Sequence, residues 1–288
     1  DISTIVVPAP PVSAMGVLLN VLLVIAVLAL ATPASAQYFF ENFDSYPLGQ
    51  LASGAGGWYG WDNAPTVTGD IVDPTTLAMP FIPQSAANCL EINYPDDTIQ
   101  PWVLNDPAGH PTVGVWRLTG WWYIPGAQFT GSTGGQYILI QNTYNHGGPY
   151  TWALELYADP VSMTLLDYHR VEAPVPVLLD QWVEVKVDID LTADTIAVYY
   201  GGTLVSSGTY TTGAGQPLAI ACLDLFTTST TNVAYWDDIK LELLPFFDAA
   251  IACNPAAGTV DFSVVNGTPG NSFYIATAAV STGVAPNG

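Results

Sequence analysis

Basic residues are almost absent from this sequence. It contains 4 Lys and Arg residues against 25 Asp and Glu residues, which gives a formal net charge of −21 at pH 7. A surface of that sign repels polyanions, so nucleic-acid binding is excluded. Intrinsic disorder is excluded as well, because 50% of the residues are hydrophobic, 12% are aromatic and only 10% are charged.

Cysteine is also scarce. The 3 cysteines in the chain are too few for a dense disulfide scaffold or a cysteine-based metal site. If the chain is exported, Cys89 and Cys222 can pair, because both lie in strand-like segments, and Cys253 would then pair with a residue beyond the given sequence. Free, buried thiols are an equally open alternative.

One long hydrophobic run occurs, near the start of the chain. Residues 15–36 read MGVLLNVLLVIAVLALATPASA, an apolar core followed by the small-x-small ending of a signal peptide. The apolar core is shorter than the roughly 20 residues that span a membrane. We therefore predict translation from Met15, with residues 1–14 as an upstream extension, and cleavage after Ala36. The mature protein would be secreted or displayed at the cell surface without a stable membrane span; a retained N-terminal anchor is the alternative.

Sustained helical periodicity is missing after residue 37. Short alternating runs take its place, bounded by Gly, Pro, Asn and Asp. In QWVEVKVDIDL, residues 181–191, apolar residues fill every second position, which is typical of a strand with a core side and a solvent side. Repetition of this pattern over residues 37–245 predicts an all-β fold, a two-sheet antiparallel jelly-roll sandwich. The strand–turn–strand pattern restarts after Pro245 and predicts the start of a second, small β domain over residues 246–288.

A family resemblance rests on five segments spread over residues 38–244. They are ENFDSYPLGQL, GVWRLTGWWYIPG, YILIQNTYN, LLDQWVEVKVDIDLTADTIAVYYGG and YWDDIKLE. Together they resemble the concanavalin A-like sandwiches, of laminin G or lectin/glucanase type, of secreted bacterial proteins. The tail from Pro245 resembles an immunoglobulin or fibronectin domain. The first and last segments also resemble jelly-roll carbohydrate-binding modules, a resemblance that implies a structural calcium ion held between the two terminal strands.

The catalytic patterns that accompany this fold are missing. Glucanases of this type carry two or three acids in a Glu-x-Asp-x-(x)-Glu pattern on one strand face. Here Glu184, Asp188 and Asp190 share a face, but their spacing differs and Lys186 interrupts the row. The arginine-rich strand and the Gln-x-His strand of alginate-lyase-like sandwiches are absent too. The sequence therefore leans away from an enzyme, and a polysaccharide hydrolase or lyase whose acids assemble from distant strands remains the alternative.

Glycan binding is better supported by the residue types. Aromatic rings stack on the apolar faces of pyranose rings, while amides and carboxylates hydrogen-bond the hydroxyls. RLTGWWYIP, residues 117–125, places polar and aromatic side chains on one face, and QNTYNHGGPYTW, residues 141–152, adds more of both kinds. The candidate ligand-binding residues are Trp121, Tyr123, Gln141, Asn142, Tyr144 and Trp152. The alternative is that these rings simply fill core and edge positions.

The segment AYWDDIKLE, residues 234–242, points to a metal ion. In a regular strand Asp237 shares a face with Ile239 and Leu241, which places a carboxylate in an apolar row. An ionised carboxylate buried without a partner is costly, and the chain has few basic residues to meet it. Calcium takes hard oxygen ligands. We predict a structural Ca²⁺ site whose ligands are Glu41, Asp44 and Asp237.

The sequence therefore predicts a secreted, non-catalytic β-sandwich module that binds polysaccharide or extracellular-matrix glycan and holds a structural calcium ion. A purely structural or adhesive surface module is a further alternative. Two acids paired on one sheet face would favour an enzyme, whereas an aromatic platform without such a pair would favour binding.

Overall fold

The computed structural model describes residues 36–170 and 173–244, together with the backbone of residues 248–254 and 259–265. Residues 36–244 form one compact unit. The predicted signal peptide lies outside the described residues. Within the described part of the chain, no helix has both the length and the apolar character needed to cross a membrane.

Two antiparallel sheets make up the unit, which confirms the predicted all-β sandwich. The nine-stranded sheet consists of β1 (Ala36–Glu41), β2 (Gly49–Gln50), β4 (Asp70–Val72), β5 (Cys89–Asn93), β7 (Val115–Tyr123), β12 (Trp182–Asp190), β13 (Thr195–Tyr200), β14 (Thr203–Thr209) and β16 (Val233–Leu244). The seven-stranded sheet consists of β3 (Tyr59–Gly60), β6 (Asp97–Gln100), β8 (Gln136–Thr143), β9 (Thr151–Asp159), β10 (Thr164–Asp167), β11 (Val175–Pro176) and β15 (Cys222–Thr227).

The order of strands explains how distant segments meet. The larger sheet runs β14-β13-β12-β7-β16-β5-β4-β2 with β1 paired to β16, and the smaller runs β11-β10-β9-β8-β15-β6-β3. Among the described residues, the helices are two single turns, α1 (Trp102–Asn105) and α2 (Gly126–Phe129), and 3₁₀ turns at Ala55–Gly57, Trp61–Asn63 and Pro74–Thr76. Neighbouring strands are therefore often far apart in sequence, as β6 and β8 are on either side of β15.

Alternation of burial along the strands confirms the predicted pattern. In β12 every second residue from Val183 to Ile189 is buried in the core, and the residues between them are half-buried. The turn from β13 to β14 is made by Gly201 and Gly202, whose φ angles of 55° and 79° match the type I′ turn of a two-residue hairpin. Glycine adopts these angles without the steric cost that a Cβ atom would add.

The core lies between the two sheets and contains most of the large aromatic side chains. Trp122 of β7 and Trp236 of β16 stack with ring centroids 4.8 Å apart. Trp122 Nε1 donates to Gln136 Oε1 at 2.9 Å, and Gln136 Nε2 donates to the Val233 carbonyl at 2.7 Å. Gln136 belongs to β8, so this buried polar group joins the two sheets and fixes their register, because it would be costly to bury unpaired.

The terminal strands β1 and β16 pair, with Glu41 opposite Ile239, as the sequence predicted. The predicted face of Asp237 is wrong, however. Asp238, at φ 47°, and Ile239 both lie opposite Gly120, so β16 carries a bulge at this point. The extra residue reverses the alternation, and the side chains before the bulge exchange faces with respect to the regular strand.

The result of the bulge is that Trp236 and Ile239 both point into the inter-sheet core. Asp237 shares the outer face of the nine-stranded sheet with Tyr235, which belongs to a separate apolar cluster with Cys89 and Tyr123. Asp237 is nevertheless fully buried, because Ser85 and its neighbours cover that face. Its surroundings are therefore a covering loop and not the sandwich core.

Cys89 and Cys222 are both free and buried. Cys89 lies in the outer apolar cluster of the nine-stranded sheet, and Cys222 packs with Ile99 and Tyr144 on the outer side of the seven-stranded sheet. The core therefore separates the two thiols, which excludes the disulfide between them and leaves the free-thiol alternative.

A two-stranded hairpin is described in the C-terminal region. It consists of β17 (Asp248–Asn254) and β18 (Thr259–Val265), with Asp248 opposite Val265. The hairpin agrees with the strand–turn–strand pattern of that region. The assignment of residues 246–288 to an immunoglobulin or fibronectin domain stays a prediction.

Candidate functional site

The predicted ligand-binding residues are divided between the two sheets. Trp121 and Tyr123 lie in β7 of the nine-stranded sheet, on its outer face. Gln141 and Asn142 lie in β8, and Trp152 in β9, of the seven-stranded sheet. The structure therefore does not form one groove from both groups.

The group on the nine-stranded sheet lies beside a pocket. Tyr123 stacks on Phe81 with ring centroids 3.9 Å apart, and Tyr235 meets Phe81 edge-on at 4.8 Å. These three rings line a pocket of about 370 Å³, together with Gln128 and Asp180. Tyr123 is only 9% exposed, so its ring face is already occupied by Phe81 and is not free to stack on a ligand.

The group on the seven-stranded sheet is closer together but mostly buried. Gln141 and Trp152 lie directly opposite each other in the register of β8 and β9. Asn142 donates to Gln216 Oε1 at 3.1 Å, and the Tyr144 ring packs edge-on against Trp61 at 5.3 Å. Gln141, Asn142 and Tyr144 are each less than 5% exposed, and Trp152 is half-buried. Because they are mostly buried, these residues are better placed to hold neighbouring side chains in position than to contact a ligand.

Glu41 does not join the other two predicted calcium ligands. Its Oε1 accepts from the Phe43 backbone N–H at 2.8 Å, and its Oε2 accepts from the Tyr46 hydroxyl at 2.5 Å. Glu41 lies opposite Ile239, a residue of the inter-sheet core, whereas Asp237 is on the outer face of the same sheet. The two carboxylates therefore point to opposite sides of the sheet.

Asp44 and Asp237 both bind the same short segment. Asp44 Oδ1 accepts from the backbone N–H groups of Ala87 and Asn88 at 2.9 and 3.0 Å, and Asp237 Oδ2 accepts from that of Ser85 at 3.0 Å. In the part of the chain that the structure describes, no group of three or more His, Cys, Asp or Glu side chains is placed to hold a metal ion. Calcium binding by the predicted residues therefore stays a prediction.

The backbone donors explain how a buried carboxyl is tolerated at Asp237. Besides the Ser85 N–H, the N–H of Asp238 donates to Asp237 Oδ1 at 2.8 Å. The pKa of Asp237 is raised to about 7, chiefly by burial and also by the charge of Asp238, while the hydrogen bond from the Ser85 N–H opposes the rise. The cost of burying the Asp237 carboxyl is therefore reduced partly by N–H donors and partly by the uptake of a proton.

The outer face of the seven-stranded sheet carries the densest set of polar and aromatic groups. The register places Phe226 of β15 next to Tyr137 of β8, and Tyr137 next to Tyr157 of β9. One step along the strands, Asp224, Leu139 and Glu155 form a second row in the same order. We call this surface the polar–aromatic face and define it by Asp97, Tyr137, Gln141, Glu155, Tyr157, Tyr168, His169, Asp224 and Phe226.

The aromatic rings of this face form a continuous row. Tyr137 stacks on Phe226 at 4.5 Å with 4° between the ring planes, and it meets Tyr157 at 4.5 Å. Tyr168, beyond the end of β10, lies 5.6 Å from Tyr157 and is 54% exposed. The row therefore begins at Phe226 of β15 and ends at the solvent-exposed ring of Tyr168.

A carboxyl pair lies beside the aromatic row. Asp97 of β6 and Asp224 of β15 are close enough for their side chains to hydrogen-bond when one of the two carboxyls holds a proton. Burial raises the pKa of Asp97 to about 6; burial also raises the pKa of Asp224 well above its usual range, and the charge of Asp97 adds to that rise. Asp97 Oδ1 and Asp224 Oδ1 receive no hydrogen bond from the described donors, which fits a shared proton.

Two neighbours complete the polar part of the face. Gln141 Nε2 donates to Asp224 Oδ2 at 3.4 Å, and its Oε1 is buried without a described donor. His169 Nε2 lies 2.8 Å from Glu155 Oε2. Glycosidases keep their two carboxyls about 5–9.5 Å apart so that a glycosidic oxygen or a water fits between them. Asp97 and Asp224 are in hydrogen-bond contact and Asp224 is 3% exposed, so the pair does not have that geometry.

Of the residues that define this face, the sequence analysis named Gln141 as a ligand-binding candidate and missed the others. Its residues occur at every second position of YILIQ, LELY and CLDLF, so the alternation was readable within each segment. What the sequence did not reveal was the register that brings β15 between β6 and β8. Asp97 and Asp224 are 127 positions apart, and without that register nothing in the sequence indicates that they are neighbours.

Comparisons with known proteins place the fold only loosely. No family model matches the chain, and no curated protein matches its sequence. Among solved structures it is similar to an endo-β-1,4-glucuronan lyase from the fungus Trichoderma reesei, with a TM-score of 0.47, 12% identity, and coverage of 72% of this chain and 96% of that chain.

Two further solved structures show similar values. The cellulose induced protein Cip1 has a TM-score of 0.46 and 15% identity, with 70% of this chain and 96% of that chain covered. An alginate lyase in complex with an alginate tetrasaccharide has a TM-score of 0.42 and 15% identity, with 73% and 97% covered. These values are too low to transfer a function, and the concanavalin A-like assignment stays a prediction.

Proposed function

We propose that this chain binds a polysaccharide on the polar–aromatic face of its seven-stranded sheet. The observation that carries the proposal is the row of Phe226, Tyr137, Tyr157 and Tyr168 beside the hydrogen-bonding groups of the second row. Apolar ring surface next to amide and carboxyl groups is the combination that sugar rings require. The secreted location predicted from the sequence belongs to the same proposal, since it would expose this face to extracellular glycans.

The dimensions of the face suit a chain-like ligand. Tyr137 and Gln141 are four residues apart on one strand, which corresponds to about 13 Å along the sheet. The aromatic row crosses β15, β8 and β9, and neighbouring strands are spaced by about 4.8 Å. A ligand that lies across this face would therefore contact the exposed ring of Tyr168 and, in the second row, the half-buried Glu155.

A binding role agrees better with the acids than a catalytic one does. Asp224 is buried under its neighbours, and its contact with Asp97 leaves no space for a substrate atom. The role of Asp97 and Asp224 is structural: they join strands β6 and β15 and hold a proton. Sugar hydroxyls are bound by the exposed groups of the face. A hydrolase or lyase would need an acid that substrate reaches, and Glu155, half-buried beside His169, is the acid that comes nearest to that requirement.

The test is a polysaccharide pull-down with variants of each face. Tyr168→Ala removes the most exposed ring of the polar–aromatic face, and Phe40→Ala, on β1, is a matched control because that side chain is 46% exposed on the other sheet. Trp121→Ala tests the outer face of the nine-stranded sheet, where Trp121 and Tyr123, two of the residues predicted from the sequence, lie. We expect Tyr168→Ala to reduce retention by about tenfold, equivalent to about 1.4 kcal/mol, with both other variants close to wild type.

Three results would count against the proposal. Loss of binding in Trp121→Ala with normal binding in Tyr168→Ala would move the site to the nine-stranded sheet. Absence of retention on every polysaccharide tested would remove the binding function. Shortening of the polymer by the purified protein, measured as new reducing ends, would replace binding by catalysis.

A further inference from the structure

All Lys and Arg side chains of this protein are already engaged. Arg117 binds Asp188 through two nitrogens, at 2.6 and 2.9 Å, and Lys240 Nζ lies 3.0 Å from Glu242. Lys186 Nζ lies 4.0 Å above the ring centroid of Tyr199. The sequence has 4 such residues, and the fourth is engaged as well.

That fourth base, Arg170, is buried in the interior. It donates to Asp167 Oδ2 at 2.9 Å, to the Ala153 carbonyl at 2.9 Å and to the Thr209 carbonyl at 2.6 Å. A guanidinium with this many partners at a nearly buried site stabilises the fold. If Arg170 moved away to bind a ligand, the Asp167 carboxylate would lose its counter-charge. Arg170 is therefore not available to bind an anionic ligand.

The other three bases are on the wrong side of the molecule to serve the polar–aromatic face. Lys186 and Lys240 both lie opposite Thr119 of β7, at outward positions of the nine-stranded sheet, and Arg117 is two residues before Thr119 on the same face. The inter-sheet core lies between these charges and the seven-stranded sheet. Their attraction for a ligand on the far face is therefore weak, because it acts over more than a Debye length.

The polar–aromatic face itself carries acids. Asp97, Asp224 and Glu155 lie on it, and among the described residues the side chain there that can gain a positive charge is His169, which is already in contact with Glu155. A carboxylate brought close to Glu155, or to the single negative charge that Asp97 and Asp224 carry between them, is repelled, and the repulsion is stronger at a partly desolvated site than in water.

We infer that the glycan bound by this face is neutral, and that the face discriminates against polyuronates such as alginate, polygalacturonate and glucuronan. This inference rests on the proposed function. The recognition would come from ring stacking and hydroxyl hydrogen bonds, which need no charge on the sugar. A cationic glycan does not fit the inference, because it would be attracted to the whole surface of net charge −21 and not to one face.

The experiment compares ligand charge at constant ligand length. Isothermal titration calorimetry on the full protein would use neutral oligosaccharides of the cello, manno and xylo series and uronate oligosaccharides from alginate and polygalacturonate, at about 0.05 M and about 0.5 M NaCl. We expect at least one neutral series to bind about tenfold or more tightly than either uronate series at low salt. We expect the difference to shrink at high salt, because added ions screen the repulsion and leave stacking unchanged.

One pair of variants separates local repulsion from the overall charge. Glu155→Gln removes a charge on the polar–aromatic face, and Glu184→Gln removes one on the nine-stranded sheet as a control. We expect Glu155→Gln to improve uronate binding several-fold and Glu184→Gln to leave it close to wild type. Equal effects of the two variants would overturn the local explanation.

The outcomes distinguish the two proposals. Tighter binding of a uronate than of every neutral series, lost in Tyr168→Ala, would overturn the inference about charge and keep the polysaccharide-binding function. Tight binding of a neutral series that Tyr168→Ala leaves unchanged would refute the site. No heat of binding with any series, neutral or uronate, would refute the binding function itself.

Discussion

The shared proton of Asp97 and Asp224 gives a stability that depends on pH. The pKa of Asp97 rises from 3.8 to about 6 in the folded state, chiefly through burial. Because the folded-state pKa is above the unfolded one, the folded state holds the proton more tightly. This contribution to stability is complete below a pH of about 4 and is lost as the pH rises through about 6.

The magnitude follows from the size of the rise. About two pKa units at about 1.4 kcal/mol each correspond to about 3 kcal/mol between pH 4 and pH 8. Asp97→Asn replaces this carboxyl by an amide of nearly the same shape that does not titrate and that can still hydrogen-bond Asp224. The variant should therefore lack this part of the pH dependence, and its stability relative to the wild type should rise by about 3 kcal/mol over that range.

Thermal unfolding by circular dichroism at five pH values from 4 to 8 measures the effect. For a unit of this size, about 3 kcal/mol corresponds to a difference in Tm of about 6–12 °C, so Asp97→Asn should gain that much on the wild type between the ends of the range. Glu184→Gln is the control, since it removes one charge from a half-buried position on the nine-stranded sheet. The other acids with raised pKa values, such as Asp237, are present in every variant and cancel in the comparison.

Parallel curves for Asp97→Asn and the wild type would refute the reasoning, because they would show that Asp97 holds no extra proton in the folded state. An equal gain in Glu184→Gln would also refute it, since the effect would then come from the net charge of −21 and not from the pair.

Two further predictions concern the metal and the thiols. The N–H donors at Asp44 and Asp237 satisfy these carboxylates without a cation, so we expect a chelator to leave the Tm within about 1 °C; a drop of several degrees, reversed by Ca²⁺, would support the calcium prediction instead. Cys89 and Cys222 should remain unreactive toward a thiol reagent in the folded protein and become reactive on unfolding without a reductant, because both are buried and free. A need for reductant would show that a disulfide forms after all.

Strand positions were the most predictable feature of this protein. The alternation in residues 181–191 corresponds to β12 almost residue for residue, because one side of each strand is buried and the other is not. Pairing of the first and last strands was also anticipated from the acids at the ends of the unit. Periodicity of two is a local property, so a single segment is enough to reveal it.

The face of Asp237 was not predictable in the same way. One extra residue in β16, at Asp238, reverses the alternation, and no residue type in YWDDIKLE marks the bulge. The partner strand decides it, since Asp238 and Ile239 both lie opposite the single residue Gly120. A long-range pairing thus turned a predicted core carboxylate into one buried beneath the loop at Ser85.

The sequence by itself determined an all-β sandwich, an acidic surface and a chain too poor in cations to bind polyanions, because composition and periodicity are properties of local segments. Only the tertiary structure decided that Asp97 meets Asp224, that Phe226, Tyr137 and Tyr157 form one row, and that all four basic side chains are taken. These relations depend on the register and order of strands distant in the chain. Register is fixed by the packing of the whole sandwich and not by any one strand.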